Sequence, residues 1–259
     1  MFQIDLSGKT VLITGAAAGI GLGVAKMFAT AGANIAGCGL EQSTPEFTQA
    51  AQENNVKAFY EPCDVTSKND LNRFVKNTIN LFGGIDILIT NAGRNIFEGV
   101  ENCDDEQWSR NMQLNLESHW QIAKLCKPYL EKNGGVIIII TSNHAYATIP
   151  GCFPYNVTKT ALTGLVKSLA IEWGPHIRTV GIAPGFIDTD GNQKWFDSFT
   201  DPAAERQRTI DSHPVKRLGT PQEIGGWCVF LASEYTAFAS GSTYLIDGGK
   251  SALLQDNQG

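Results

Sequence analysis

The sequence predicts an α/β protein, a doubly wound, seven-stranded parallel sheet flanked by helices, in a single domain over residues 1–259. Short apolar runs alternate with longer helical patterns along the whole chain. Two of these runs, Ile85 to Thr90 (IDILIT) and Val136 to Thr141 (VIIIIT), are almost continuously apolar, as strands covered on both faces by helices must be. Nearer the N-terminus, Thr10 to Thr14 is followed by a glycine-rich turn that opens a helix, the start of a βαβ unit.

In chain order, Thr10 to Thr14 (TVLIT) is the first strand, and a helix begins at about Gly19. Strands at Asn34 to Gly37 and Ala58 to Glu61 follow. Leu71, Phe74, Val75, Thr78, Ile79 and Phe82 then fall on one helical stripe, and Ser67 with Asp70 three residues later supplies a capping-box-like start. After the two apolar strands come Arg178 to Ala183 and Thr243 to Ile246, which complete the seven. Pro184 to Pro202 has no sustained period and mixes Gly, Asp, Asn and Gln with Trp195, Phe196 and Phe199. It reads as a long loop or lid, extending to about residue 215, and its aromatic content points to a functional segment.

At 42% hydrophobic and 18% charged, the chain is globular. Its net charge of −6 comes from interspersed acids and bases, with no basic cluster to draw nucleic acid or an anionic membrane. Neither is expected as a partner. Met1 to Lys9 lacks the charged and apolar segments of a leader, and no apolar run approaches ~18 residues, so a cytoplasmic protein is expected. Cys38, Cys63, Cys103, Cys126, Cys152 and Cys228 are scattered, and no histidine sits in a ligand pattern; a catalytic metal is not expected.

Thr14-Gly15-Ala16-Ala17-Ala18-Gly19-Ile20-Gly21 joins the first strand to the first helix. Small residues there let backbone N–H groups approach an anion at the positive helix end, and a pyrophosphate would fit. The spacing is G-x-x-x-G-x-G, which alone can also be a tight strand-to-helix turn. Where a ribose-binding carboxylate is expected, roughly 20 residues on, the chain reads Gly37-Cys38-Gly39-Leu40-Glu41, with Gly39 in the acid's place. Glu41 is either the ribose partner or a solvated loop acid. No Lys or Arg in Ala16 to Ala18 or near Gly39 meets a 2′-phosphate, so NAD is favoured, with NADP possible.

Tyr155 and Lys159 lie four residues apart on one face of the helix that follows Pro154. A free phenol with a pKa of about 10 is a poor base near neutrality; a neighbouring ammonium favours the phenolate. Such a pair is by itself also an ordinary surface pair. Here it is accompanied by the glycine turn, by Asn91-Ala92-Gly93 after the Ile85 strand, by Ser142 after the Val136 strand and by Asn115 within a helix. Together with Pro184-Gly185 and Asp247-Gly248-Gly249, these motifs resemble the classical short-chain dehydrogenase/reductase family over nearly the whole chain.

That resemblance implies a Rossmann-like fold, a nicotinamide cofactor and a role for each motif. Ser142 would hydrogen-bond the substrate oxygen, Tyr155 exchange its proton, Lys159 bind the nicotinamide ribose, and Asn115 hold a water linking Lys159 to solvent. Gly15, Ala18, Gly19, Ile20, Gly21, Asn91, Ala92 and Gly93 would line the cofactor, with Asp64 and Val65 at the adenine. Pro184, Gly185, Ile187 and Thr189 would lie at the nicotinamide. A homotetramer, formed partly through the helices bearing Asn115 and Tyr155, is also implied.

Beside these residues stand Arg94, Asn95, Asn143, His144, Gln193, Lys194 and Trp195, a polar and partly cationic set unlike the apolar pocket a steroid or long acyl chain needs. The stretch Ile187 to Asn192 and the tail Gly248 to Ala252 resemble sugar and sugar-acid dehydrogenases. A sugar or anionic sugar derivative is therefore the expected small-molecule substrate, with Arg94, His144 or Lys194 meeting its hydroxyls or acid group. A 3-oxoacyl carrier-protein reductase is the alternative enzyme, and a non-catalytic nicotinamide sensor the alternative outside catalysis.

Overall fold

The computed structural model describes residues 3–253. Its seven strands are β1 (Thr10–Thr14), β2 (Asn34–Gly39), β3 (Ala58–Pro62), β4 (Ile87–Thr90), β5 (Val136–Ile140), β6 (Arg178–Pro184) and β7 (Thr243–Ile246). All pair in parallel, in the order β3-β2-β1-β4-β5-β6-β7. The expected doubly wound sheet is thus the observed one. Nine helices accompany the strands among the described residues: α1 (Gly19–Thr30), α2 (Pro45–Glu53), α3 (Lys68–Phe82), α4 (Asp105–Met112), α5 (Ser118–Asn133), α6 (Tyr155–Trp173), α7 (Asp190–Phe196), α8 (Pro202–Asp211) and α9 (Pro221–Ala232). No helix among the described residues is long and apolar enough to cross a membrane.

The period of two within each strand explains why the central runs are apolar throughout. Val11 and Ile13 of β1, with Val136, Ile138 and Ile140 of β5, join Val24, Phe28, Ile224 and Val229 in the core under α1 and α9. Leu12, Ile137 and Ile139, the residues between them, join Leu71, Phe74, Ile122, Leu162 and Val166 under α3, α5 and α6. Each strand therefore feeds two cores. Helices α1 and α9 pack closely because Gly23 leaves room: a Cβ there would lie 2.4 Å from Pro221.

Strand order reverses between β1 and β4, and the crevice outside the carboxyl ends of parallel strands at such a switch point is where ligands bind. The glycine turn follows β1 and Asn91 follows β4, so both motifs border that crevice.

Three local expectations need correction. The fourth strand starts at Ile87, not Ile85, because the Asp86 carboxylate accepts from the Thr10 backbone N–H and from Lys9, tying this residue to the strand entrance. At α3, Ser67 Oγ accepts from the Asp70 N–H, but the Asp70 carboxylate serves the Asp64 N–H and Arg73, so only half a capping box forms. The segment after β6 is not a long irregular loop. Thr189 caps α7 through the Asn192 N–H, and Asp201 caps α8, which has Pro202 at its first position. An Arg206–Asp188 ion pair, with Arg206 also 5.4 Å over the Phe196 ring, braces the two helices.

Candidate active site

The turn after β1 is shaped by contacts that exclude side chains. Gly15 has φ +66°, and a Cβ on it would lie 2.9 Å from the Ala92 Cα; a Cβ on Gly21 would lie 1.9 Å from the Gly15 carbonyl oxygen. Helix α1 begins at Gly19 with no side-chain cap on its N-terminus, so the Gly19, Ile20 and Gly21 N–H groups face outward from the helix end without intrahelical partners. Asn91 fastens the end of β4 to this turn. Its amide donates to the Thr14 and Gly15 carbonyls, while the Asn91 and Ala92 N–H groups donate to Thr14 Oγ1. From the lid, the Thr189 methyl lies 3.4 Å from the position of a Cβ on Gly19. Gly15, Gly19, Gly21, Asn91, Ala92 and Thr189 thus come together at one crevice, with Ala18 at the N-cap of α1, while the Ile20 side chain packs on the core under α1 and α9.

At the end of β2, the space a Cβ on Gly39 would take is met by Glu41 Oε2 at 2.7 Å and by the Tyr60 hydroxyl at 2.9 Å, with Ala17 of the turn at 3.4 Å. The Glu41 carboxylate therefore fills the position from which a strand-end acid would reach. Tyr60 steadies it by donating its hydroxyl to the Glu41 carbonyl, and burial, with the Glu41 charge, pushes that phenol well above its ordinary value. Asp64 is occupied elsewhere: it is exposed, and its carboxylate closes a local turn on the Thr66 N–H and hydroxyl, while Val65 is buried beside it.

Ser142 follows β5 at the same edge of the sheet, and Tyr155 and Lys159 stand in the first and second turns of α6. All three are buried, Tyr155 with 8% of its surface exposed and Lys159 with 3%. Lys159 Nζ donates to the Ile140 carbonyl at 3.1 Å and lies 5.5 Å from the centre of the Tyr155 ring. Burial raises the Tyr155 phenol to about 12, against a hydrogen bond with Ser142 that lowers it, and burial brings the Lys159 ammonium down to about 8. Both shifts disfavour charge in the same dry site, so an ion pair of phenolate and ammonium is the charged state that suits it best.

Asn115 lies on a π-helical turn, Gln113–Glu117, between α4 and α5, and is fully buried. Its Oδ1 accepts from the Arg94 N–H, and its Nδ2 donates to the Arg94 carbonyl and to Asn111 Oδ1. Asn111 Nδ2 in turn donates to the carbonyl of Pro154, the residue before Tyr155. One turn beyond Asn115, the buried His119 bonds Thr90 Oγ1 at 2.8 Å and is held neutral, at about 3, by burial and the Lys159 charge. A polar stripe on one helix thereby ties the loop after β4 to the start of α6. Gly93 is packed against it, with Asn115 Oδ1 2.7 Å from where its Cβ would be.

On the substrate side, the rings of Phe97, His144 and Tyr155 meet edge-on, at 5.3 Å for Phe97–Tyr155 and 6.1 Å for His144–Tyr155. Ser142 Oγ accepts from the His144 N–H and makes a long bond, 3.4 Å, to Asn143 Oδ1. Ile187 is buried, bridged to Gly219, and its carbonyl accepts from Asn192; Pro184 is buried at the end of β6, and Gly185 packs against Asp247. Trp195 belongs to an aromatic cluster with Phe186, Phe196 and Phe199. Arg94, Asn95 and Lys194 are exposed. A cavity of about 550 Å³ beneath the lid, lined by Phe186, Ile187, His213, Trp227 and Asp247 among others, contains none of Ser142, Tyr155 and Lys159.

The family model described as enoyl-(acyl carrier protein) reductase matches residues 15–251, nearly the whole chain. The chain is 35% identical over 254 residues to dehydrogenase/reductase SDR family member 4 of Sus scrofa, across 96% of this chain and 89% of that protein. It belongs to the short-chain dehydrogenase/reductase family. An uncharacterized oxidoreductase of Thermotoga maritima is 32% identical over 96% of this chain and 98% of its own. Among solved structures, the ligand-free aldohexose dehydrogenase of Thermoplasma acidophilum superimposes with a TM-score of 0.91 at 26% identity, covering both chains completely. The chain is accordingly an oxidoreductase of a family that uses nicotinamide cofactors.

A dinucleotide fits the residues of this short-chain dehydrogenase/reductase: the uncapped helix end and glycine cradle suit a pyrophosphate, and the Glu41 carboxylate suits a ribose diol. Sequence reasoning named Thr14 only as the start of the turn and missed Phe97, Asn111 and His119. Asn111 and His119 carried a usable signal, since they stand four residues either side of Asn115 and share its helix face. Phe97 carried none, because its approach to Tyr155 comes from the Phe97–Pro154 backbone bridge between segments far apart in sequence.

Proposed function

We propose that this short-chain dehydrogenase/reductase is an NAD-dependent dehydrogenase of a sugar or anionic sugar derivative, with Ser142, Tyr155 and Lys159 as its catalytic residues and Asn115 as their support. The observation that carries the NAD assignment is the Glu41 carboxylate, which occupies the space left by Gly39 beside Ala17. An acid there accepts from a ribose hydroxyl and repels a 2′-phosphate. The sugar assignment is supported by the polar groups of Asn143 and His144 at Ser142 and by the likeness to an aldohexose dehydrogenase.

When bound, the nicotinamide accepts or returns the hydride. Ser142 Oγ orients the substrate oxygen, and Tyr155 Oη takes the hydroxyl proton during oxidation or returns it during reduction. The Lys159 ammonium stabilises the phenolate, which takes the proton in oxidation and is left when the proton is given in reduction. Asn91 and Thr14 keep the turn and the β4 end in register, and the Asn115–Asn111–Pro154 chain of hydrogen bonds fixes the entry to α6, hence the direction of the phenol. The lid helices, braced by Arg206, exclude water.

A homotetramer and a cytoplasmic location remain part of the proposal. Exposed Trp120 on α5 and Ile171 on α6, with Leu245 on the β7 edge and Trp227 on α9, are surfaces such an assembly would cover. The acyl carrier-protein name of the matching family model favours a second reading, reduction of 3-oxoacyl thioesters. One experiment separates them. Neutral aldoses, aldonates and uronates with NAD and NADP, and acetoacetyl thioesters with the reduced cofactors, are followed at the reduced-cofactor absorbance. Turnover of sugars with NAD, abolished in Tyr155→Phe with NAD affinity kept, is expected. Exclusive turnover of the thioester overturns the sugar assignment, and NAD binding without turnover of either class points to a sensor.

A further inference from the structure

Besides Arg94 and Lys194, a third cation, Lys250, follows the strand edge that carries Ser142. Ile140 of β5 pairs with Ile182 of β6, and Pro184, two residues on, pairs with Ile246 of β7. Ser142 and the residues that follow β7 therefore emerge at one level of one sheet edge, two strands apart. Gly248 and Gly249, with φ of +64° and +81°, turn the chain back at that edge and deliver Lys250. The half-buried Lys250 ammonium donates to Ser212 Oγ at 3.0 Å, across from the C-terminal end of α8.

The acids around Lys250 are already committed. Asp247 accepts from the Gly249 and Ser251 N–H groups, one on each oxygen, and Glu205 is paired with Arg208 on α8. Among the described residues Lys250 has no carboxylate within ion-pair distance; Arg208 opposes its charge, and Asp247 and Glu205 favour it from beyond that distance. Its own charge acts on His144, which stands at Ser142 and Tyr155, and on His213. A half-buried ammonium that has one hydroxyl partner, and whose neighbouring acids are occupied, is a prepared point for an anion.

We propose that Lys250 binds the acid group of an anionic sugar substrate and thereby sets the preference for sugar acids over neutral sugars, a reading that rests on the sugar assignment above. Its test uses matched pairs differing in one carboxylate: D-glucuronate and D-glucose, D-galacturonate and D-galactose, D-gluconate and D-glucitol. The intact enzyme turns over the acid of at least one pair with the higher kcat/KM. In Lys250→Met that advantage falls roughly 10- to 100-fold, the range for a lost charge-assisted hydrogen bond, while kcat/KM for the neutral partner and the affinity for NAD change little. Lys250→Arg recovers part of the preference, and Lys250→Gln replaces the methionine variant if that one does not fold. Turnover of the acids with an equal loss on both members of a pair, or with no loss, overturns this inference alone. Turnover of no sugar at all overturns the sugar assignment and this inference with it.

Discussion

Replacing Lys159 by methionine keeps most of the side-chain volume in α6 and removes one charge from the site. The ammonium lies 5.5 Å from the centre of the Tyr155 ring. At that separation and an effective dielectric of about 20, its attraction for a phenolate is about 3 kcal/mol, which corresponds to about two pKa units on the phenol. Burial holds Tyr155 at about 12 and Lys159 at about 8, so an ammonium opposite the phenolate offsets part of the cost of charging the phenol. The acid limb of the kcat/KM profile for alcohol oxidation should therefore move about two units toward alkaline pH in Lys159→Met, with a loss on the order of 100-fold at neutrality. The profile is measured from neutral to strongly alkaline pH, with NAD affinity measured separately by quenching of tryptophan fluorescence. An acid limb at the original pH, with the whole loss in NAD affinity, would refute the idea that the ammonium tunes the phenol.

Three further changes test other parts of the structure. Glu41→Gln should weaken NAD by roughly 10- to 100-fold, the value of a charge-assisted bond, and leave NADP unaffected or improved; equal losses for both cofactors in KM measurements would argue against a ribose role. Asn111→Leu strands the Asn115 amide and the Pro154 carbonyl. It should cost about 1–3 kcal/mol of stability in urea unfolding and lower kcat more than it alters the substrate KM, whereas a purely structural Asn111 would leave kcat untouched. His119 is neutral in the fold, at about 3 against a free value of 6.5, so its contribution is complete above the free value and is lost as pH falls toward the folded one. At a pH of about 5 that loss is about 2 kcal/mol, so acid destabilisation of His119→Phe should be smaller than that of the parent by this amount; identical pH slopes would show that the imidazole is not the group responsible.

What could be read in advance was whatever leaves a local trace. Strands buried on both faces must be apolar at every position, so β4 and β5 announced themselves. Glycines that a neighbouring backbone forbids to be anything else, Gly15 and Gly21, stood out by spacing. The lid did not, because its two helices are short and depend on caps at Thr189 and Asp201 and on the distant Asp188–Arg206 pair more than on a long apolar stripe. Glu41 could not be assigned from sequence, since a carboxylate two residues beyond the strand end reaches Gly39 only through the path of the loop. Phe97 enters the site by the same kind of long-range folding.

The π-helical turn at Gln113–Glu117 inserts one residue where a uniform helix would have none. Upstream and downstream of it the coil is regular, but the two halves are out of phase by about the angle one residue subtends, roughly 100°. Deleting a single residue there would bring the halves back into phase and swing Asn115 away from Arg94 and Asn111. The extra residue therefore works as a rotary offset, letting one rod present a wet stripe to the chemistry and a dry one, from Ile122 to Leu130, to the sheet beneath.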